Sequence, residues 1–202
     1  MEKPFKRFPY TYAVGAILFI WTLVSYTAHS DTVALVIRAT GIILIILGVL
    51  GRVYSTIFIG GMKNEGSDGK SFIDYGPYSI TRNPLYYFSF VGFCGLLAIK
   101  AQVIFLVVGA VIYLLVYRAT ITSEEEFLRH KFGEPYEEYI KKVPRFFPRW
   151  CAFHTPDYIQ IRPAFLHKEM LRSLNWVLLT LILLGIESLH YFDILPHFAY
   201  GF

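Results

Sequence analysis

Two short stretches of this chain concentrate the residues able to hold charge and to stack on a ligand. The first reads Gly76-Pro77-Tyr78-Ser79-Ile80-Thr81-Arg82-Asn83-Pro84-Leu85-Tyr86. The second holds Glu124-Glu125-Glu126, then Phe132-Gly133-Glu134-Pro135-Tyr136 and Tyr139, and closes on Val143-Pro144-Arg145-Phe146-Phe147-Pro148. An arginine fork grips a carboxylate, while carboxylates and tyrosine faces favour a cation. The apolar hairpin between them, Tyr87 to Tyr117, would bring the two stretches to the same membrane face, an arrangement that suggests a site. Plainer roles compete for the same residues. Asn83-Pro84 reads as a helix cap with proline at the first helical position, and tyrosines commonly belt a membrane interface. Glu125 with Arg129, Glu137 with Lys141 and Glu138 with Lys142 stand at the spacing of exposed helix pairs. Arg118 and Glu125, seven apart, are expected on one face at the membrane boundary, where ionisable groups are costly.

The elements that must position these stretches are apolar helices. Of 202 residues 55% are hydrophobic and only 17% charged, against about 25% in an ordinary soluble domain. The apolar residues fall in long blocks, so the expected class is a polytopic membrane protein. Helices are predicted near 10–28, 32–54, 85–99, 101–121 and 170–189, with the fourth able to run on through Leu128 to Lys131. The first block follows a basic start, as a signal peptide would. Its length, about 27 Å as a helix, and the missing cleavage pattern make it a retained span. Gly48, Gly51 and Ser55 would let a neighbouring helix approach closely, and Arg38 and Arg52 are placed to snorkel. Residues 60–75 read as a glycine-rich loop. Gly69-Lys70-Ser71 imitates the tail of a phosphate loop but lacks its spacing and its preceding strand. Cys94 and Cys151 support neither a disulfide framework nor a zinc site, and no metal is expected. The formal charge of +4 is modest, and no nucleic-acid partner is expected. Of the 19 lysines and arginines, all but Arg38 and Lys100 fall before the first span, in 52–84 or in 118–172. The positive-inside rule then puts both polar stretches in the cytoplasm and the C-terminus outside.

Gly-Pro-Tyr…Arg-Asn-Pro-Leu-Tyr, then Glu-Glu-x-x-Leu-x-x-x-Phe-Gly-x-x-Tyr-x-x-Tyr, then Val-Pro-Arg-Phe-x-Pro resembles the isoprenylcysteine carboxyl methyltransferase and phospholipid methyltransferase superfamily. These are integral-membrane enzymes that use S-adenosylmethionine. The resemblance covers about residues 48–148. It implies an all-α fold: a polytopic membrane helical bundle of about five transmembrane helices with a cytoplasmic cofactor-binding region. The whole of 1–202 is then a single domain, with an extra C-terminal helix at about 170–189.

Residue by residue, the resemblance implies that Tyr78, Arg82, Asn83, Pro84 and Tyr86 form one wall of the cofactor site. Glu124 and Glu125 match the family's paired glutamates, and Tyr136, Tyr139 and Arg145 match the segment against the pocket. Arg82 and Glu125 are the expected catalytic residues. The chain departs from the family at Asn83, where histidine is usual, near Lys70, where histidine is frequent, and at Thr120, where arginine is frequent and Arg118 stands nearby. The implied activity is methylation of a lipidic or amphipathic acceptor (a carboxylate, amine or thiol) at the cytoplasmic leaflet. The implied membrane is a bacterial inner membrane, or endoplasmic reticulum in a eukaryote.

Two alternatives accompany this reading: a non-catalytic membrane scaffold, and an NADPH-dependent membrane reductase, a class that carries a similar Arg-His-Pro-x-Tyr element. No Ser-His-Asp series, H-E-x-x-H pair or dinucleotide-binding glycine fingerprint competes. Membrane lipid is the expected surrounding, and the acceptor is expected to arrive through a lateral opening between helices. The hairpin of the third and fourth helices, rich in small residues (Gly92, Gly95, Ala98, Gly109 and Ala110), is expected to line it together with neighbouring helices.

Overall fold

The computed structural model describes residues 7–59 and 72–202; Lys70 and most of the glycine-rich stretch lie outside them. Seven helices occur among the described residues: α1 (Arg7–Val24), α2 (Asp31–Phe58), α3 (Pro77–Ile80), α4 (Pro84–Ala98), α5 (Val103–Phe132), α6 (Glu134–Lys142) and α7 (Pro163–Tyr191). Two three-residue strands, β1 (Ser25–Thr27) and β2 (Ala199–Gly201), complete them. The protein is an all-α membrane helical bundle. α2, α5 and α7 are long and apolar enough to cross a bilayer, and Tyr12–Val24 and Pro84–Ala98 are shorter apolar helices.

The chain divides into two compact units. One comprises Met1–Gly48, Phe90–Arg118 and Leu174–Phe202; the other comprises Val49–Ser89 and Ala119–Ser173. In the first, helices meet through small residues. A Cβ on Gly95 would stand 2.5 Å from the Gly41 carbonyl oxygen, and one on Gly92 would stand 2.8 Å from the Trp176 ring. Gly92 and Gly95 are therefore helix-contact positions. Gly109 likewise faces Leu97.

Buried charge also ties this unit together. Lys100 Nζ lies 2.6 Å from Glu187 Oε1, and Arg38 Nη2 lies 2.6 Å from Glu187 Oε2. Lys100 also donates to the Thr22 and Ser25 carbonyls, and Arg38 Nε donates to that of Ile99. Arg38 is thus an ion-paired residue and not a snorkelling one, and Lys100 is buried in the turn between α4 and α5. In lipid an uncompensated charge is expensive, so each cation takes a carboxylate and backbone oxygens.

α1 ends at Val24, four residues before the expected boundary. Ser25–Thr27 leave the helix to pair in parallel with Ala199–Gly201, and the Phe198 N–H donates to the Val24 carbonyl. Residues 198–201 are therefore part of this unit's hydrogen-bonded frame.

In the second unit, α5 runs on to Phe132, so Glu124, Glu125 and Glu126 lie mid-helix and do not oppose a helix C-terminus. Gly76 and Gly133 open α3 and α6 with φ of 61° and 60°, a left-handed conformation that glycine adopts without steric cost. A Cβ on Gly76 would also meet the Phe58 ring at 2.4 Å. Arg52 grips Glu169 through Nε at 2.8 Å and Nη2 at 2.7 Å, and its Nη1 donates to the Leu85 carbonyl and to Ser89 Oγ. Here too the expected snorkel is replaced by a buried pair, this time with a residue 117 positions away. Gly51 lies against the Phe88 ring, as a close-contact residue should.

Candidate functional site

The site gathers in the second unit around one carboxylate. Glu125 points from α5 into a buried position, where Oε1 accepts from Asn83 Nδ2 at 3.2 Å and lies 3.5 Å from Arg82 Nη1. Its other oxygen, Oε2, lies 3.1 Å from Arg145 Nε. That contact is an ion pair and not an aligned hydrogen bond; the aligned bond of Arg145 runs from Nη2 to Thr122 Oγ1 at 2.6 Å. Two cations and an amide thus share one carboxylate, a donor-rich arrangement. The Glu125–Arg129 pairing expected at helix spacing does not form. Arg129 instead meets Glu137 at 3.5 Å, and Lys141 meets Glu138, its neighbour three residues back, at 2.6 Å. Arg118 is exposed and belongs to the first unit.

Local folding explains how three separated segments converge. Pro77 and Pro84 start α3 and α4, and the extended residues between them are held by the segment after α6. The Arg82 N–H donates to the Pro144 carbonyl at 2.9 Å, Thr81 Oγ1 to that of Phe146 at 2.9 Å, and Asn83 Nδ2 to that of Arg145 at 2.9 Å. The Arg149 N–H donates in turn to the Ile80 carbonyl. Asn83 therefore uses its side-chain amide to join Glu125 to the Arg145 backbone, beyond any role as a helix cap. Thr81 and Thr122, not singled out by sequence, are the hydroxyls that fix the 145–146 backbone and the Arg145 fork.

A second group sits on the same helices. Tyr86 donates its hydroxyl to Glu124 Oε1 at 2.8 Å. Tyr78 is fully buried, and its hydroxyl has no hydrogen-bond partner among the described residues. Burial pushes the Tyr78 hydroxyl far above its ordinary titration range; Arg52 opposes the shift, while Glu124 and Tyr86 reinforce it. The Tyr78 carbonyl accepts from the buried Tyr139 hydroxyl at 2.7 Å. Tyr136 is buried beside it in a cluster with Leu128 and Val143, against which Phe72 and Phe132 pack. Burial raises the Tyr136 and Tyr139 titrations too, with Glu125 the next largest cause at Tyr136. All three phenols are held neutral at any physiological pH. Pro84 is buried at the first position of α4 and sets its start.

Every residue predicted for the site is thus placed in this unit, with Arg82, Asn83, Glu125 and Arg145 in direct contact. Tyr86 meets Glu124, and Tyr139 meets Tyr78. A cavity of about 290 Å³ lies against α6, lined by Asp74, Ser79, Glu138, Tyr139, Arg149 and His154 among others. Among the described residues, no group of three or more His, Cys, Asp or Glu side chains converges as a metal site.

A family model described as phospholipid methyltransferase matches residues 10–135. It begins earlier than the resemblance read from the motifs, and it ends before Tyr136, Tyr139 and Arg145. The chain is 25% identical over 187 residues to the nickel-cobalt-cadmium resistance protein NccN of Alcaligenes xylosoxydans xylosoxydans, covering 92% of this chain and 85% of that one. It is 27% identical over 150 residues to the cobalt-zinc-cadmium resistance protein CzcN of Cupriavidus metallidurans, covering 74% and 67%. No solved structure matches.

Proposed function

The chain belongs to the phospholipid methyltransferase family, part of the isoprenylcysteine carboxyl methyltransferase-like membrane methyltransferases, and from that premise we propose that it is an S-adenosylmethionine-dependent methyltransferase acting on a lipidic or amphipathic acceptor at the cytoplasmic leaflet. The observation that carries the reading is the convergence on Glu125 of Arg82 and Asn83 from one motif and Arg145 from another.

The donor set fits the cofactor's two signs of charge. Two arginines share one buried carboxylate, so a ligand carboxylate finds planar donors there. The fully buried Tyr78 hydroxyl has no partner among the described residues, so its oxygen is open to a ligand cation. Glu124, steadied by Tyr86, offers negative charge to a cation. Arg82 and Arg145 would hold the carboxylate of the methionine part, and Glu124, Tyr86 and Tyr78 would face its cationic groups. When bound, S-adenosylmethionine supplies an electrophilic methyl group on a sulfonium sulfur. The protein's contribution is positioning: Glu125 fixes both arginines, Asn83 fixes Glu125, and the buried aromatic cluster limits water near the reacting region. A separate base is needed only for an acceptor that arrives protonated.

The relatives are named for resistance to nickel, cobalt, zinc and cadmium, and we carry that name over as a physiological setting for the reaction. Those names describe resistance and not transfer, which favours a second reading, a non-catalytic scaffold that keeps the fold. Isothermal titration of the detergent-solubilised chain with S-adenosylmethionine, and separately with NADPH, distinguishes the readings. Saturable heat with S-adenosylmethionine alone is expected. Heat with NADPH alone would indicate a reductase, and heat with neither would indicate the scaffold.

A further inference from the structure

The segment after α6 has two faces, and only one belongs to the site. Its inner face is tied to the first motif by the backbone bonds at Pro144, Phe146 and Arg149, and by the Gly76 N–H on the His154 carbonyl at 2.7 Å. Its outer face presents large apolar side chains: Phe147 is 64% exposed, Trp150 59% and Phe153 44%, with Tyr158 and Ile161 following. Arg149, which also borders the cavity against α6 and donates from Nη2 to the Lys142 carbonyl, and Arg162 are both exposed in this stretch, and Asp157 is the only acid in the sequence between residues 143 and 162.

Rings of this size are unfavourable in water and favourable in the headgroup layer of a bilayer. Neighbouring arginines favour that layer most when its lipids are anionic. Each arginine near such a surface contributes about fivefold in partitioning. The segment is irregular apart from a 3-10 turn at Trp150–Ala152, so no helical pattern announces it.

We propose that the outer face of residues 147–162 lies in the headgroup layer of an anionic leaflet, against anionic glycerophospholipids. The geometry links the lipid surface to the site through a short covalent path, because Arg145 on Glu125 and the exposed Phe147 are two residues apart. The inference is independent of whether methyl transfer occurs.

Cys151 is exposed within the turn and Cys94 is half-buried elsewhere, so a Cys94→Ser chain can be labelled at Cys151 alone with a polarity-sensitive fluorophore. The full chain is placed in nanodiscs of phosphatidylcholine, or of phosphatidylcholine and phosphatidylglycerol in equal parts. Quenching is compared between a nitroxide near the headgroup end of a lipid chain and iodide in the water. In the anionic discs the lipid nitroxide should quench several-fold better than iodide, and the advantage should shrink in the neutral discs. Arg149→Gln and Arg162→Gln should each reduce it about fivefold. Dominant iodide quenching in both discs overturns the proposal, and so does equal lipid quenching in both.

Discussion

Glu125 is the residue on which the account turns, because it is the buried group that two arginines and an amide address together. Arg82→Lys keeps the charge and loses the planar fork, so it should weaken S-adenosylmethionine binding. Glu125→Gln leaves both arginines without their carboxylate. Each is expected to cost about 1.5–3 kcal/mol of binding, roughly 10- to 100-fold in Kd, measured by titration at matched protein yield. The buried phenols make a separate prediction. Tyr136 titrates above its unfolded value, because burial and Glu125 disfavour the phenolate. Below about pH 10 it is protonated in both states and its contribution is complete. Above that the unfolded chain releases a proton that the folded chain keeps, so stability falls by about 1.4 kcal/mol per pH unit for each such tyrosine. Alkaline unfolding of Tyr136→Phe should show a shallower slope by that amount.

At the scale of elements, α7 is held by carboxylates at its two ends, Glu169 on Arg52 in one unit and Glu187 on Arg38 and Lys100 in the other. Glu187→Gln leaves two buried cations uncompensated and should cost about 3–5 kcal/mol in detergent unfolding. Gly95→Ala drives a methyl into the Gly41 carbonyl, a backbone atom that cannot rotate away, and should cost about 1–3 kcal/mol. The helices themselves were legible in the sequence, because apolar blocks of spanning length announce them. So was the run of α5 through the glutamates into Lys131, which keeps Glu125 inside a rigid helix. The ion pairs were not legible. Arg38 and Arg52 read as snorkelling residues because nothing local identifies a partner more than a hundred positions away. Helix spacing likewise offered Arg129 to Glu125, whereas the fold delivers Arg82 and Arg145. The strand at Ser25–Thr27 was hidden for the same reason: its partner is the last few residues of the chain.

For the whole molecule, the family and the apolar helices establish a membrane methyltransferase architecture. The charge distribution further predicts a cytoplasmic N-terminus and a C-terminus outside. A reporter fused after Phe202 that is active only outside the cytoplasm should be active; silence there with activity of a cytoplasmic reporter would require an even number of spans. The proposed reaction transfers a methyl group to an acceptor that partitions into lipid. Its most direct measurement uses membranes from cells carrying the wild-type chain or Glu125→Gln at equal abundance, incubated with S-adenosylmethionine labelled in the methyl group. Label is expected in the organic-extractable fraction or in membrane protein with the wild type, and about a hundredfold less with Glu125→Gln. Equal labelling by the two chains, or label confined to water-soluble products, would contradict it.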